Sequence, residues 1–155
     1  NCISHLDKAM DTFMKITEFT SCEFAIRPFI IKHPDLSLAW LEKMANDTNH
    51  HVRRLASEGS RPRLPWAMAL PSFKKDPRQV LEIILNLLDD ESLYVRRSVA
   101  NNLNDISKDN PQLFIAVAQK HLGESLNVNW VIKHASRGLL KKRDKTIAWV
   151  CFYTK

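Results

Sequence analysis

Apolar residues recur three to four positions apart along nearly the whole chain, and no segment alternates apolar and polar residues with a period of two. Helices are expected over 4–18, 21–32, 35–46, 49–59, 65–74, 77–88, 92–107, 111–122 and 128–142, separated by Pro, Asp, Asn or Ser. Pro34, Pro65, Pro77 and Pro111 stand where first turns should begin, a place that needs no backbone N–H. The pattern is all-α.

The helices also repeat. Asp47-Thr48-Asn49-His50-His51-Val52-Arg53-Arg54-Leu55-Ala56 is matched 43 residues on by Asp90-Glu91-Ser92-Leu93-Tyr94-Val95-Arg96-Arg97-Ser98-Val99. Trp130-Val131-Ile132-Lys133-His134-Ala135 reads as a degenerate third copy after 36 more. That period belongs to HEAT-type repeats, which stack because no helix pair buries its own apolar face. The expected fold is an all-α, right-handed curved solenoid of HEAT-like repeats over 1–145, followed by an atypical tail at 146–155. The chain opens on Asn1, so amino-terminal repeats are expected to be missing, and homodimerisation through exposed repeat faces follows as a further expectation. Asp47 and Asp90 should cap the second helix of each pair, with Val52 and Val95 in the core.

Stacked in parallel, the second helices put Arg54, Arg97 and Lys133 in one row, and Glu58, Asn101 and Arg137 one turn further on. Leu55, Val99 and Leu139 belong to the neighbouring dry seam. A polar, mostly basic stripe results. Arg53 and Arg96 have a second reading, as bridges between neighbouring repeats.

Charge extends this picture. The 23 Lys and Arg residues against 17 Asp and Glu give +6, and the pI is near 9.4. Such an excess suits a polyanionic partner, although a merely basic protein has it too. Cys2, Cys22 and Cys151 are odd in number and far apart, which suggests neither disulfides nor a metal site and fits a reducing, cytoplasmic setting. No apolar run approaches the ~20 residues of a membrane span, and no signal peptide is visible. His50-His51 lacks further ligands at zinc spacing, and no Gly-rich phosphate loop or Ser–His–Asp set is present, so neither metal nor cofactor is expected.

One stretch is unlike repeat filler. Arg53-Arg54-Leu55-Ala56-Ser57-Glu58-Gly59-Ser60-Arg61-Pro62-Arg63-Leu64-Pro65-Trp66 gathers arginines around a single glutamate and ends in a tryptophan. Gly59 can stop the helix and let the backbone approach a ligand. A carboxylate in such company either neutralises the arginines or works at an anion-binding site.

These words, with Glu23-Phe24-Ala25-Ile26-Arg27-Pro28-Phe29 and Val95-Arg96-Arg97-Ser98-Val99-Ala100-Asn101-Asn102-Leu103-Asn104-Asp105-Ile106, resemble the AlkC-type alkylpurine DNA glycosylases over roughly 20–145. The resemblance implies hydrolysis of the N-glycosidic bond of cationic alkylated bases, such as 3-methyladenine, in double-stranded DNA without base flipping. An N3-alkylated purine is already a charged leaving group and needs no strong general acid. What remains is to stabilise an oxocarbenium-like sugar and to position a water.

By that resemblance Glu23, Glu58 and Asp105 are the carboxylates and Trp66 the aromatic face. Arg54, Arg61, Arg63 and Arg97 would hold DNA phosphates, with Lys133 and Arg137 extending the track. Each residue keeps a plainer reading. Glu23 could sit in a helix first turn, Asp105 could pair with Arg97 or Arg96, Trp66 could be core, and Glu58 could neutralise Arg54 or Arg61. The corresponding alternative function is a non-catalytic helical-repeat scaffold that binds nucleic acid or an acidic protein.

Overall fold

The computed structural model describes the backbone of residues 2–153 and the side chains of 5–151. Within them the chain runs as helices α1 (Cys2–Ile16), α2 (Arg27–Lys32), α3 (Pro34–Ala45), α4 (His50–Gly59), α5 (Pro71–Lys75), α6 (Arg78–Asn86), α7 (Leu93–Asp109), α8 (Pro111–His121), α9 (Leu126–Ala135), α10 (Arg137–Lys141) and α11 (Lys145–Tyr153). No strand occurs among the described residues. Helix α3 pairs with α4, α6 with α7 and α8 with α9, while α7 packs between α4 and α9. The second helices α4, α7 and α9 thus form one layer and α3, α6 and α8 lie on its other side, the stacking of HEAT-like repeats.

Proline sets several boundaries. Pro28, Pro34, Pro71 and Pro111 all fall in the first turn of a helix, where a missing N–H costs nothing. Pro65 does not. Residues 61–70 form a loop, because Trp66 adopts φ 59, which no helix accommodates, and the element expected at 65–74 begins only at Pro71. The segment expected as one helix over 21–32 is a turn through Ile26 followed by α2, and the one over 128–142 breaks at Ser136.

The stretch set apart as a tail is, where described, the helix α11. Its Ile147, Val150 and Cys151 are buried in the same core as the repeats. The continuous apolar run around Trp149 gave no repeat signature, yet it fills the face that α8 and α10 leave open.

The repeat signature has a mechanical basis. Arg53 donates from Nε to Asp90 Oδ2 at 2.7 Å and from Nη2 to Oδ1 at 3.1 Å, and from Nη1 to the Asp47 and Thr48 carbonyls. It therefore bridges one repeat to the next, as its second reading held. Asp47 and Asp90 accept from the backbone N–H of Asn49 and Ser92, which occupy the helix cap positions themselves. The aspartates order the turn before the helix rather than capping it. Counted from Asn49, Ser92 and the third cap Ser125, the last copy follows after 33 residues rather than 36. Val128, not Val131, thus holds the place of Val52 and Val95, and Trp130, not Lys133, the place of Arg54 and Arg97 in the row; Lys133 falls three residues further on. The third turn has Gly123 where Asp90 stands in the second. Arg96, the counterpart of Arg53, reaches only carbonyls, and its buried Nε is unpartnered.

Candidate nucleic-acid interface and active site

Three of the expected residues meet in one buried chain. Glu58 lies in the last turn of α4, Arg61 just beyond it, and Asp105 on the facing side of α7. Arg61 donates from Nη1 to Glu58 Oε1 at 2.7 Å and from Nε to Asp105 Oδ2 at 2.9 Å. The other two carboxylate oxygens accept from Ser98 Oγ at 2.6 Å and from Lys108 Nζ at 2.8 Å. Glu58 is 7% and Asp105 1% exposed, so each carboxylate is fixed in a place of low dielectric. Burial by itself lowers the pKa of Arg61, but Glu58 and Asp105 beside it hold the guanidinium above its ordinary value. Beside the apolar seam, the α4–α7 contact carries further polar bonds: Asn102 Nδ2 donates to the Ser57 carbonyl at 2.8 Å and to Ser60 Oγ at 3.2 Å. Asp105 thus pairs with Arg61 and Lys108 rather than with Arg96 or Arg97. Arg61, expected on phosphate, commits its fork to two carboxylates.

Glu23 approaches from the turn ahead of α2, so it is not in a helix first turn. It is 8% exposed; Oε1 accepts from Arg54 Nη2 at 3.3 Å, and Oε2 has no partner. Arg54 also lies 4.7 Å from the ring centroid of Tyr94. Arg54 and Glu58 are one turn apart on α4, which brings Glu23 to the edge of the same network.

Trp66 is 99% exposed, which removes it from the core. Its left-handed backbone is one a bulky residue takes only at a cost of roughly 1–2 kcal/mol. Nearby, Arg63 makes a two-pronged pair with Asp109, with Nε at 2.7 Å, although its side chain stays well exposed.

Toward α9 the face stays basic. Arg97 and Lys133 are exposed. Arg137 Nη2 donates to Asn101 Oδ1 at 2.7 Å, and burial followed by nearby Arg61 lowers its pKa. Trp130 and His134 stack with planes 6° apart. Burial, then Arg137 and Arg97, pushes His134 below the usual histidine value. Ser98, Lys108, Tyr94, Trp130 and His134 belong to this face without having been singled out in the sequence. Tyr94 and Trp130 carried a signal, being large aromatics on the stripe face of repeat helices.

Residues 5–139 match the family model described as DNA alkylation repair enzyme. The chain belongs to that family. It is 49% identical over 143 residues to the uncharacterized protein YhaZ of Bacillus subtilis (strain 168), covering 92% of this chain and 40% of that protein. Among solved structures it is similar to the Pseudomonas fluorescens alkylpurine DNA glycosylase AlkC bound to DNA containing an abasic site analog. There the TM-score is 0.90 at 41% identity, over 93% of this chain and 40% of the other. The chain therefore spans about 40% of the length of the relatives it matches. No helix among the described residues is long and apolar enough to cross a membrane.

Proposed function

We propose that this chain carries the DNA groove and the reacting groups of an alkylpurine DNA glycosylase. The observation that carries the reading is the buried Glu58–Arg61–Asp105 chain, followed in the loop after Arg61 by a fully exposed, left-handed Trp66. The substrate is duplex DNA with a cationic alkylated base. Arg97, Lys133 and the outer edge of Arg137 hold phosphates, with Arg54 and Arg63 contributing from positions already paired to carboxylates. Trp66 faces the lesion and supplies cation–π attraction while the base stays in its stack.

The charged purine leaves without protonation. The developing sugar cation meets carboxylates whose positions are set before the reaction, and this preorganisation lowers the barrier. Glu23 differs from the other two. Both oxygens of Glu58 and of Asp105 already accept a hydrogen bond, whereas Glu23 Oε2, buried and without a partner, is the acceptor left unused for the attacking water. On this reading Glu23 orients water, and Glu58 and Asp105 stabilise charge.

The burial of Glu58 and Asp105 in pairs with Arg61 also favours a second reading, a DNA-binding scaffold in which both serve only to hold α4 to α7. Release of 3-methyladenine from methylated duplex DNA, at saturating protein, separates the two. Release abolished by Glu23→Gln supports the enzyme; DNA binding with no release at all supports the scaffold.

A further inference from the structure

We infer that Arg27 is a positioning residue for the Trp66 loop, fixing from three carbonyls where the indole stands relative to the Glu58–Arg61–Asp105 chain; this rests on the glycosylase reading. Arg27 opens α2 and is 0% exposed. Its Nε donates to the Met68 carbonyl at 2.7 Å, and its Nη1 to those of Gly59 at 2.9 Å and Arg61 at 2.8 Å. Those carbonyls bracket the candidate site. Gly59 ends α4 one residue after Glu58, Arg61 joins the two carboxylates, and Met68 follows Trp66 by two positions.

Trp66 cannot hold itself. Its side chain packs on nothing, and its backbone sits in a conformation that would relax unless the surroundings over-determined it. Buried Leu64 and Leu70, with the bond from Leu70 N–H to the Pro62 carbonyl at 3.2 Å, close the base of the loop. Arg27 Nε holds the stretch of loop between that base and the indole.

A buried cation is costly, and an apolar side chain would fill the same volume more cheaply. The guanidinium does what no apolar residue can: its rigid fork aims donors at three carbonyls from three parts of the chain. Burial, with Arg61 nearby, lowers Arg27 to about 10, so it stays cationic at neutral pH. Lysine would keep the charge but, as a point donor on a flexible stem, would not span all three.

The test compares Arg27→Lys with the unsubstituted chain by amide hydrogen exchange and by base release. Exchange in residues 62–70 should accelerate ~10-fold or more while α7 keeps its protection. Base release from methylated duplex should fall ~10-fold, yet by no more than ~2-fold in a Trp66→Ala background, because the effect passes through the indole. Unchanged loop exchange overturns the inference. So do effects of the two substitutions that simply multiply, and so does equal acceleration in α7, which would make Arg27 a support of the whole core. If the unsubstituted chain releases no base, the proposed function has failed, and loop exchange alone decides the case of Arg27.

Discussion

At the scale of single residues, the three carboxylates should separate by what already binds them. Glu58→Gln removes charge from a buried pair with Arg61 and should lower the melting temperature as well as the rate. Measured well below that temperature, base release should fall by roughly two to three decades, the worth of an electrostatic contact of about 3–4 kcal/mol. Glu23→Gln weakens one longer pair, with Arg54 at 3.3 Å, and changes an unpartnered oxygen, so its rate should fall with a smaller change in melting than Glu58→Gln causes. Trp66→Ala should cost on the order of ten-fold in rate and nothing in stability, since the indole buries no surface. A Trp66→Ala protein that melts early would show that the indole serves packing after all. Each assignment started from residue types legible in the sequence. Which oxygens are taken was not legible, because Ser98 reaches Glu58 from the next repeat and Arg61 joins Glu58 to Asp105 across the same boundary.

At the scale of elements, close approach of α4 to α2 explains a glycine that the sequence suggested for ligand access. A Cβ on Gly59 would meet Ile26 Cγ2 at 2.6 Å, and Ile26 is fully buried and β-branched. Gly59→Ala should therefore destabilise by about 1–3 kcal/mol through overpacking, read as a lower urea midpoint. The ladder arginines make a paired test. Arg53 has a buried carboxylate partner in Asp90 and Arg96 has only carbonyls, so Arg53→Ala should cost about 3 kcal/mol and clearly more than Arg96→Ala. Equal losses would mean that the bonds to carbonyls, made by both, do the stabilising. The repeat words were legible because Arg53 and Asp90 serve one local geometry twice; the failure of the ladder at Gly123 appears only once the third turn is seen.

At the scale of the molecule, salt and pH should report on different residues of one face. Changing Arg97 and Lys133 to Ala should reduce the slope of log affinity against log salt by about 0.9 for each phosphate left without its cation. Arg61→Ala should leave that slope nearly unaltered, because its fork is committed to Glu58 and Asp105. A slope carried by Arg61 would mean that DNA draws it out of the network. His134 is held below its ordinary value by burial, Arg137 and Arg97, so below about 6.5 the unfolded chain binds the proton more readily than the folded one. Stability should then decline as pH falls from about 6.5 toward the lowered folded value. His134→Gln should flatten that decline, and an identical pH profile in the variant would rule out this histidine as its source.

The helical period, the 43-residue repeat, the prolines at first turns and the basic excess determined an all-α stack with a polar face, because each depends on neighbours within a few turns or on composition alone. Motif words also singled out Glu23, Glu58, Asp105 and Trp66. Tertiary structure decided what those residues touch. It turned Arg61 inward between two carboxylates, left Glu23 with a free oxygen, put Trp66 in water on a left-handed backbone, and drew the stretch after 145 into the core. It also brought Arg27 under the loop that follows Gly59, more than thirty residues away along the chain. Such pairings join segments whose separation in sequence carries no period. A fork of five donors reveals its acceptors only when the chain has folded around it.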